Sequence, residues 1–304
     1  MTPIFIPFAE GQARLDWLRM AQAIAAGHLL PRAQVADVLL YRGADTLLNR
    51  SAWIDGLGLA VKVGAIYPGN PVRGQPMING AVSLFRDSDG GLEAFLDFHL
   101  VTKWKTAADS LLAATRLARK NSRNILIVGA GTVGRSLHAA YGEAFPGAQF
   151  AVWNRSPDGA ARFAADCPGV VVAADLEQAV RAADIITCAT MATTPLIRGD
   201  WLQPGQHVDL IGAYTPAMRE VDDTAIARAR VFCDNRDTVV DHIGELIDPI
   251  RAGVIGPEHV IADLYQPDLM VRRNDAEITL FKNGGGAHLD LMVSRHIVDV
   301  WQGA

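Results

Sequence analysis

The sequence predicts an α/β protein with a buried parallel sheet in its central part and a mixed or antiparallel sheet in its first part. Short apolar strands alternate with helical segments between about residues 124 and 235, which is typical of βαβ units. Turn-separated segments of alternating polarity fill about the first 120 residues. A glycine-rich turn joins the first of the buried strands to a helix.

The first part of the chain contains four segments that predict strands. They are LLYRGAD, LGLAVKVGAIYP, NGAVSLFRD and GGLEAFLDFHLV, with a DSDGG turn at Asp87 to Gly91. Their alternation predicts a mostly antiparallel or mixed sheet. An alanine-rich helix from about Thr106 to Arg119 follows and leads into the parallel region.

Six Val- and Ile-rich runs predict the parallel strands: NILIVGAG, QFAVWNR, GVVVAAD, DIITCAT, HVDLIGA and ARVFCDN. Segments with helical spacing, such as SPDGAARFAADC and LEQAVRAAD, lie between them. After Asn235 we expect a helix containing HIGELIDPI, a loop region and a last helix from about Gly286 to Trp301, which returns to the first domain. The predicted domains are residues 1–118 with 290–304, and residues 119–289.

Composition excludes several classes of protein. The 304 residues are 50% apolar and carry a formal net charge of -5, and the arginines are scattered, so we expect no nucleic-acid partner. No window approaches the roughly 18 apolar residues of a membrane span, and the N-terminus does not resemble a signal peptide. Three separated cysteines in apolar contexts and no ligand-spaced histidine pair predict a cytoplasmic protein with reduced thiols and no metal.

The turn GAGTVG, residues 129–134, follows a strand and opens a helix, as the dinucleotide-binding fingerprint requires. Gly129 allows the tight turn, Gly131 lets a diphosphate approach the backbone, and Gly134 lets the helix pack on the strand. The N–H groups that begin the helix, at Thr132 and Val133, then face the phosphates. We therefore predict that residues 119–289 form a Rossmann domain that binds NAD or NADP.

The end of the second parallel strand bears on the choice between NAD and NADP. NAD-binding proteins usually place a carboxylate there, whereas this strand continues into Asn154, Arg155 and Ser156. A guanidinium beside a hydroxyl suits a 2′-phosphate, so the sequence favours NADP over NAD. The alternative is that Arg155 stacks on the adenine of either cofactor.

Eight stretches in one order resemble the ornithine cyclodeaminase/mu-crystallin family, over about residues 55–290. They are GLAVKVGAIYPGNPVRGQP, VTKWKTAADSLLAATRLAR, GAGTVG, VWNRSP, CATMATTP, IGAYTPAMREVD, GELIDPI and KNGGGAHLD. The resemblance implies a Rossmann domain joined to a discontinuous α+β domain for substrate binding and dimerisation. It also implies a homodimer that uses NAD(P) on small amino or imino acids.

The resemblance implies several substrate-site residues. Lys62 matches the family's substrate-site lysine, which would bind a carboxylate or donate a proton to an imine; alternatively its stem is buried and its ammonium reaches water. Lys105 stands where the family usually has a carboxylate-binding arginine. The other candidates are Arg42, as a second cation, Asn70, which binds substrate or caps a turn, and Met77, where cyclodeaminases have a threonine.

Tyr214 stands where cyclodeaminases carry an aspartate in the loop G-x-D-x-P. A tyrosine offers no carboxylate near neutral pH, so the weight shifts from deamination to reduction of an imine. The candidate catalytic residues are Lys62, Lys105 and Tyr214. The predicted activity is NAD(P)-dependent reduction of a small imino acid such as pyrroline-2-carboxylate; the alternatives are ornithine cyclodeamination and non-catalytic ligand binding.

The remaining cofactor candidates follow later strands of the parallel sheet. Ligands of such sheets bind at the carboxyl ends of the strands, which favours Thr190, Ala192, Gly212 and Ala213. Gly285 and Gly286 precede the last helix, and their backbone could approach the nicotinamide. The alternative for this glycine run is a hinge between domains, and both readings can hold.

Overall fold

The computed structural model describes residues 2–303, which divide into two compact units. Unit 1 comprises the described residues up to Lys105 and from Gly286 onward, and unit 2 is Thr106–Gly285. The boundaries predicted from the sequence lie after residues 118 and 289. The first boundary differs because one uninterrupted helix, Phe98–Leu117, contains it.

The secondary-structure elements are numbered along the chain. The strands are β1 (Ile4–Ile6), β2 (Gln34–Arg42), β3 (Asp45–Ile54), β4 (Gly58–Ile66), β5 (Ile78–Phe85), β6 (Leu92–Asp97), β7 (Asn124–Val128), β8 (Gln149–Trp153), β9 (Val170–Val172), β10 (Ile185–Cys188), β11 (His207–Leu210), β12 (Arg230–Cys233), β13 (Val260–Asp263) and β14 (Thr279–Lys282). The helices are α1 (Phe8–Gln12), α2 (Trp17–Gly27), α3 (Phe98–Leu117), α4 (Thr132–Ala144), α5 (Pro157–Asp166), α6 (Leu176–Ala182), α7 (Asp223–Arg228), α8 (Arg236–Val239), α9 (Gly244–Arg251) and α10 (Ala287–Gln302). Short 3₁₀ turns lie at Pro71–Arg73, Gly199–Trp201 and Pro257–His259.

Unit 1 contains a six-stranded sheet in the order β1-β6-β5-β4-β3-β2. Among the described strand pairs of this sheet, only β1–β6 is parallel, so the predicted mixed sheet is confirmed. Because side chains alternate along a strand, Lys62, Val82 and Leu96, which are paired across adjacent strands, share one face. All three are buried, and α10 packs against β2 to β5.

Helix α3 begins eight residues earlier than predicted. The sequence analysis continued the β6 strand through DFHLV, but the strand ends at Asp97 and the helix starts at Phe98. The Asp97 carboxylate accepts hydrogen bonds from the backbone N–H groups of His99 (2.8 Å) and Leu100 (2.9 Å). These bonds satisfy two of the donors that a helix start exposes, so Asp97 is the N-cap that the apolar alternation concealed.

Unit 2 contains an eight-stranded sheet in the order β13-β12-β14-β11-β10-β7-β8-β9, with every described pair parallel. This confirms the predicted α/β class. The strand order reverses between β7 and β10, where ligands of such sheets bind. Strands β13 and β14 lie where the sequence predicts a loop region; both have only four residues, and β14 ends in a buried lysine, Lys282, which weakens the apolar signal.

Within residues 2–303, no helix has both the length and the apolar character that crossing a membrane would require.

Candidate active site

The GAGTVG turn in unit 2 has the geometry of a phosphate cradle. Gly129 has a φ of +111°, and a Cβ there would lie 2.6 Å from the carbonyl oxygen of Ala189. A Cβ on Gly134 would lie 2.3 Å from the Gly129 carbonyl oxygen, so the helix packs directly on the turn. By contrast, no atom lies within 4 Å of a Cβ built on Gly131, the N-cap of α4. The open position is the one where a diphosphate would approach, so the turn fits a dinucleotide.

A cavity of about 270 Å³ lies against this turn at the carboxyl ends of β7, β8 and β10. Asn154 joins the glycine turn to the segment that follows β8. Its Oδ1 accepts from Ala130 N (3.2 Å), and its Nδ2 donates to Ser156 O (3.0 Å). Arg155 and Ser156 are exposed at the rim. The lining residues are Gly129, Ala130, Gly131, Trp153, Asn154, Arg155, Ser156, Ala189, Thr190, Met191, Ala192 and Leu196. Thr132 and Val133 form the first turn of α4 and do not line the cavity.

Glu220, a residue that the sequence analysis did not select, holds the loops after β10 and β11 together. Its Oε1 accepts from Thr190 N (2.8 Å) and Oγ1 (2.9 Å), and its Oε2 accepts from Gly212 N (2.7 Å) and Ala213 N (3.2 Å). A Cβ on Gly212 would lie 2.0 Å from the Thr190 carbonyl oxygen, so only glycine permits this approach. Glu220 lies in the quoted stretch AMREVD and is fully buried. The sequence shows only a charged residue at this position, and charged residues are usually exposed.

Asp234 binds the backbone of the glycine run that precedes α10. Its Oδ2 accepts from Gly285 N (2.7 Å), and Gly285 has a φ of +70°. A Cβ on Gly284 would lie 2.5 Å from a Val239 methyl group. Gly285 and Gly284 are therefore required by conformation and packing, while Gly286 is the N-cap of α10. A nicotinamide contact at this run stays a prediction.

In unit 1 the two predicted lysines meet at a single carboxylate. Lys62 Nζ lies 3.0 Å from Asp290 Oδ1, and Lys105 Nζ lies 2.8 Å from Asp290 Oδ2. All three side chains are at least 94% buried. Lys62 also donates to Thr102 Oγ1 at 2.6 Å, and its Nζ lies 4.4 Å from the centroid of the Phe98 ring. Asp290 lies in the quoted stretch KNGGGAHLD but was not selected, because the lysines are distant in sequence.

Burial and the shared charge shift the proton affinities of this cluster. Burial lowers the pKa of Lys62, although the Asp290 charge opposes this. Burial, with the charges of Lys62 and Arg50, lowers the pKa of Lys105 to about 7. Burial alone would raise the pKa of Asp290, but the lysine charges outweigh it and lower that pKa to about 2. The cluster thus holds a stable carboxylate beside a lysine that exchanges a proton near neutral pH.

Arg50, rather than Arg42, is the arginine beside Lys62. Arg50 pairs with Lys62 across β3 and β4, and its guanidinium binds the Asp37 carboxylate at 2.7–3.1 Å. Arg42 is at the other end of the β2–β3 hairpin, 76% exposed and paired with Asp45. Five residues of strand, about 17 Å, separate the two levels. Sequence alone does not give the strand register, so Arg50 was not a candidate, and a role for Arg42 in substrate binding stays a prediction.

The structure does not bring the remaining unit 1 candidates, Asn70 and Met77, into the lysine cluster of that unit. Asn70 closes its own loop, with Nδ2 donating to Pro76 O (2.9 Å) and Oδ1 accepting from Arg73 (2.7 Å). Met77 is 45% exposed next to that loop. Tyr214 lies in the loop that follows β11 in unit 2 and is 61% exposed. Roles for these three side chains in substrate binding stay predictions.

The sequence model of the ornithine cyclodeaminase/mu-crystallin family matches residues 54–304. The chain belongs to this family. The predicted resemblance is thereby confirmed, and the match begins close to residue 55, where the quoted stretches begin.

Two reductases and a dehydrogenase are similar to the chain over nearly its full length. The Delta(1)-pyrroline-2-carboxylate reductase of Paracoccus denitrificans is 47% identical over 99% of this chain and 98% of its own. The Delta(1)-pyrroline-2-carboxylate reductase of Thermococcus litoralis, solved with NADH and L-proline, superposes with a TM-score of 0.91 at 24% identity over 99% of this chain and 98% of its own. An archaeal alanine dehydrogenase dimer with bound NAD gives a TM-score of 0.90 at 25% identity, over 100% and 97%. These structures share the fold of this family member.

Proposed function

We propose that the protein is an NAD(P)-dependent oxidoreductase that reduces a small cyclic imino acid, such as pyrroline-2-carboxylate, to the corresponding amino acid. The observation that carries this proposal is the pair of buried lysines on Asp290, combined with a near full-length relative of that activity. The ammonium groups provide a site for a carboxylate and a source of a proton. When bound, the nicotinamide supplies the hydride.

Tyr214 favours reduction over cyclodeamination. The resemblance places a catalytic aspartate at this position in cyclodeaminases, and a phenol cannot replace its carboxylate near neutral pH. Reduction of a preformed imine needs only a hydride donor, a cationic site for the carboxylate and a proton. The second candidate, ornithine cyclodeamination, and the third, ligand binding without turnover, remain as outcomes of the test.

The deciding experiment follows absorbance at 340 nm with pyrroline-2-carboxylate and either NADPH or NADH. Oxidation of the cofactor with formation of proline supports the proposal. Release of ammonia and proline from ornithine without net cofactor oxidation would instead support the cyclodeaminase. Cofactor binding without turnover on a panel of amino, imino and keto acids would support the third candidate, a non-catalytic ligand-binding protein.

For the cofactor we propose a preference for NADP over NAD. Arg155 and Ser156 are exposed at the rim of the cavity, beside the end of β8, and no carboxylate is among the residues that line it. A guanidinium at this position suits a 2′-phosphate. The relatives solved with NADH and NAD support a nicotinamide dinucleotide as the cofactor, but they do not support NADP over NAD.

We also propose a homodimer formed through the second face of the unit 1 sheet. Register places Val38, Leu40, Leu47, Trp53, Phe95 and Phe5 on the face opposite Lys62, with exposures of 36–62%. Such a contiguous apolar surface is unusual for a monomer and is suited to a second copy of the same face. The archaeal alanine dehydrogenase of the same fold is described as a dimer.

A cytoplasmic location remains part of the proposal. Cys167, Cys188 and Cys233 are buried and form no disulfide within residues 2–303, which is compatible with a reducing compartment. Fractionation of cells that express the full chain tests this directly: recovery in the cytoplasmic fraction is expected, and recovery in a secreted or membrane fraction would contradict it.

A further inference from the structure

Two buried ammonium groups share one carboxylate in unit 1. Asp290 binds Lys62 through Oδ1 and Lys105 through Oδ2, at 3.0 and 2.8 Å. One negative charge cannot fully compensate two positive charges away from water. One of the two lysines therefore releases its proton more readily than an ordinary lysine does.

The surroundings of the two lysines indicate which one this is. Lys62 donates to Thr102 Oγ1 at 2.6 Å, and Thr102 in turn donates to the Phe98 carbonyl oxygen. The Phe98 ring, 4.4 Å from Lys62 Nζ, also stabilises a positive charge. Lys105 has the Lys62 and Arg50 charges nearby, and burial with these charges brings its pKa to about 7.

The residue type at position 105 points the same way. The resemblance places an arginine here in most of the family, whereas this chain has lysine. A guanidinium keeps its proton at any pH at which proteins fold, but a lysine amine can release one. The change therefore keeps a cation for a carboxylate and adds a proton that can be transferred.

Charged or titratable groups approach Lys105 from four elements. They are Asp290 and His288 on α10, Lys62 on β4, Arg50 on β3 and, bound to Arg50, Asp37 on β2. Burial and the charges of His28 and Lys105 keep the pKa of His288 well below its usual value, so His288 stays neutral. Asp290 stays ionised. Among these groups, Lys105 is the one whose pKa lies near neutral pH.

We propose that Lys105 donates the proton that the imine nitrogen gains during reduction, and that Asp290 is the positioning residue that holds both lysines. This inference rests on the proposed reductase function. The N–H bond forms with the Lys105 proton, the C–H bond forms with the hydride of the reduced nicotinamide, and the C=N π bond breaks. The substrate gains two electrons, the dinucleotide loses them, and Lys105 recovers a proton from water.

Lys105→Arg separates proton donation from carboxylate binding, because it keeps the charge and removes the transferable proton. We expect kcat with pyrroline-2-carboxylate to fall about 100-fold or more, with KM within a few-fold of the wild type. Lys103→Arg, on the same helix and half-buried, is the matched control and keeps wild-type kcat. Because arginine can disturb a buried site, Lys105→Ala provides a second test: added alkylamines should restore part of its turnover.

Asp290→Asn tests the positioning role. Removal of the negative charge makes Lys105 harder to protonate, so the alkaline limb of the kcat profile should move at least one pH unit lower, while Asp290→Glu restores it. A readout independent of activity is NMR titration of ¹³Cε-labelled lysine, assigned with Lys105→Arg. We expect a lysine signal that titrates near pH 7 in the wild type and lower in Asp290→Asn.

The outcomes separate this inference from the function on which it rests. A wild type that does not oxidise NAD(P)H with any imine overturns the reductase proposal. An active wild type with full kcat in Lys105→Arg, or without amine rescue of Lys105→Ala, overturns the proton-donor role alone. An unchanged lysine titration in Asp290→Asn overturns the role of Asp290.

Discussion

At the scale of single residues, Lys62 combines burial with charge. Its ammonium is held by Asp290 and Thr102 inside unit 1, where few lysines are stable without a partner. Burial of a charged ammonium costs free energy that an apolar side chain in the same position would not cost. The arrangement suits a carboxylate site, which is the role the proposed function gives this residue.

Lys62→Ala should therefore abolish turnover. We expect kcat/KM for pyrroline-2-carboxylate to fall at least about 100-fold, the usual size of the effect when a positioned catalytic group is removed. The affinity for NADPH, measured by calorimetry, should stay within a few-fold, because the dinucleotide cavity is built from unit 2 residues. Lys103→Ala, which loses a hydrogen bond to Gln12, is the control. Full activity in Lys62→Ala would refute the assigned role.

Arg155 decides between the two dinucleotides in our proposal. Arg155→Ala should weaken NADPH by about 10- to 100-fold, since a hydrogen bond to a charged group contributes about 1.5–3 kcal/mol, and should change NADH much less. Dissociation constants of both cofactors measure this. Arg162→Ala, exposed on α5 and outside the cavity, should change neither. Equal losses for both cofactors in Arg155→Ala would show that the arginine stacks on adenine instead.

At the scale of elements, the cavity depends on two loops that follow β10 and β11. Glu220 binds four donor groups of these loops, from Thr190, Gly212 and Ala213. A carboxylate has acceptors only, so it satisfies all four donors at once. One buried side chain thus joins the two loops, in addition to the backbone hydrogen bonds between them.

Glu220→Gln should disturb both loops together. The amide nitrogen would face backbone donors, and the lost charge-assisted bonds should lower the free energy of unfolding by about 2–4 kcal/mol. Urea unfolding and NADH affinity measure the two consequences, and both should decline. Glu177→Gln, which loses only a surface pair with Arg181, should change the free energy of unfolding by under about 0.5 kcal/mol. Wild-type stability in Glu220→Gln would mean that the loops are held by other contacts.

At the scale of the whole molecule, the sheet of unit 1 is covered on one face by α10 and apolar on the other. An uncovered apolar face of this kind exposes hydrophobic area that association would bury. The prediction concerns the state of association of the chain rather than the chemistry of either site.

Leu40→Glu together with Trp53→Glu should convert the proposed dimer into a monomer. Charges on the two residues oppose burial of that face, and light scattering after size exclusion measures the mass. Val171→Glu, an exposed apolar residue on β9 in unit 2, is the matched control and should leave the mass unchanged. A wild-type chain that is already monomeric at micromolar concentration would contradict the proposal.

The stability of the chain should also depend on pH through Glu245. Burial, and then the charge of Glu220, raises the pKa of Glu245 to about 7 from 4.5. The folded state thus favours the protonated form, so this group's contribution to stability is full below about pH 4.5 and is lost as the pH rises to about 7. The difference corresponds to roughly 3 kcal/mol.

Urea unfolding between pH 5 and 8 tests this window. The wild type should lose stability as the pH rises, and Glu245→Gln should show a flatter profile. Asp209, whose pKa burial raises to about 6, acts in the same direction and leaves a residual slope. A slope that is identical in wild type and variant would exclude Glu245 as its source.

The sequence by itself determined the features that depend on local conformation. The glycines of residues 129–134 follow from φ and from close approach, and the Val- and Ile-rich runs follow from side-chain periodicity, so both could be read without a structure. Lys62 could be selected as a candidate from the sequence because it is a charged residue within an apolar strand. Each of these signals is contained within a few neighbouring residues.

Only the tertiary structure decided which distant groups meet. Asp290 reaches Lys62 from 228 positions along the chain, and strand register places Arg50 rather than Arg42 beside that lysine. The insertion of β14 between β11 and β12 is equally non-local. Long-range pairing is set by the packing of whole elements, and local periodicity carries no information about which partner an element will find.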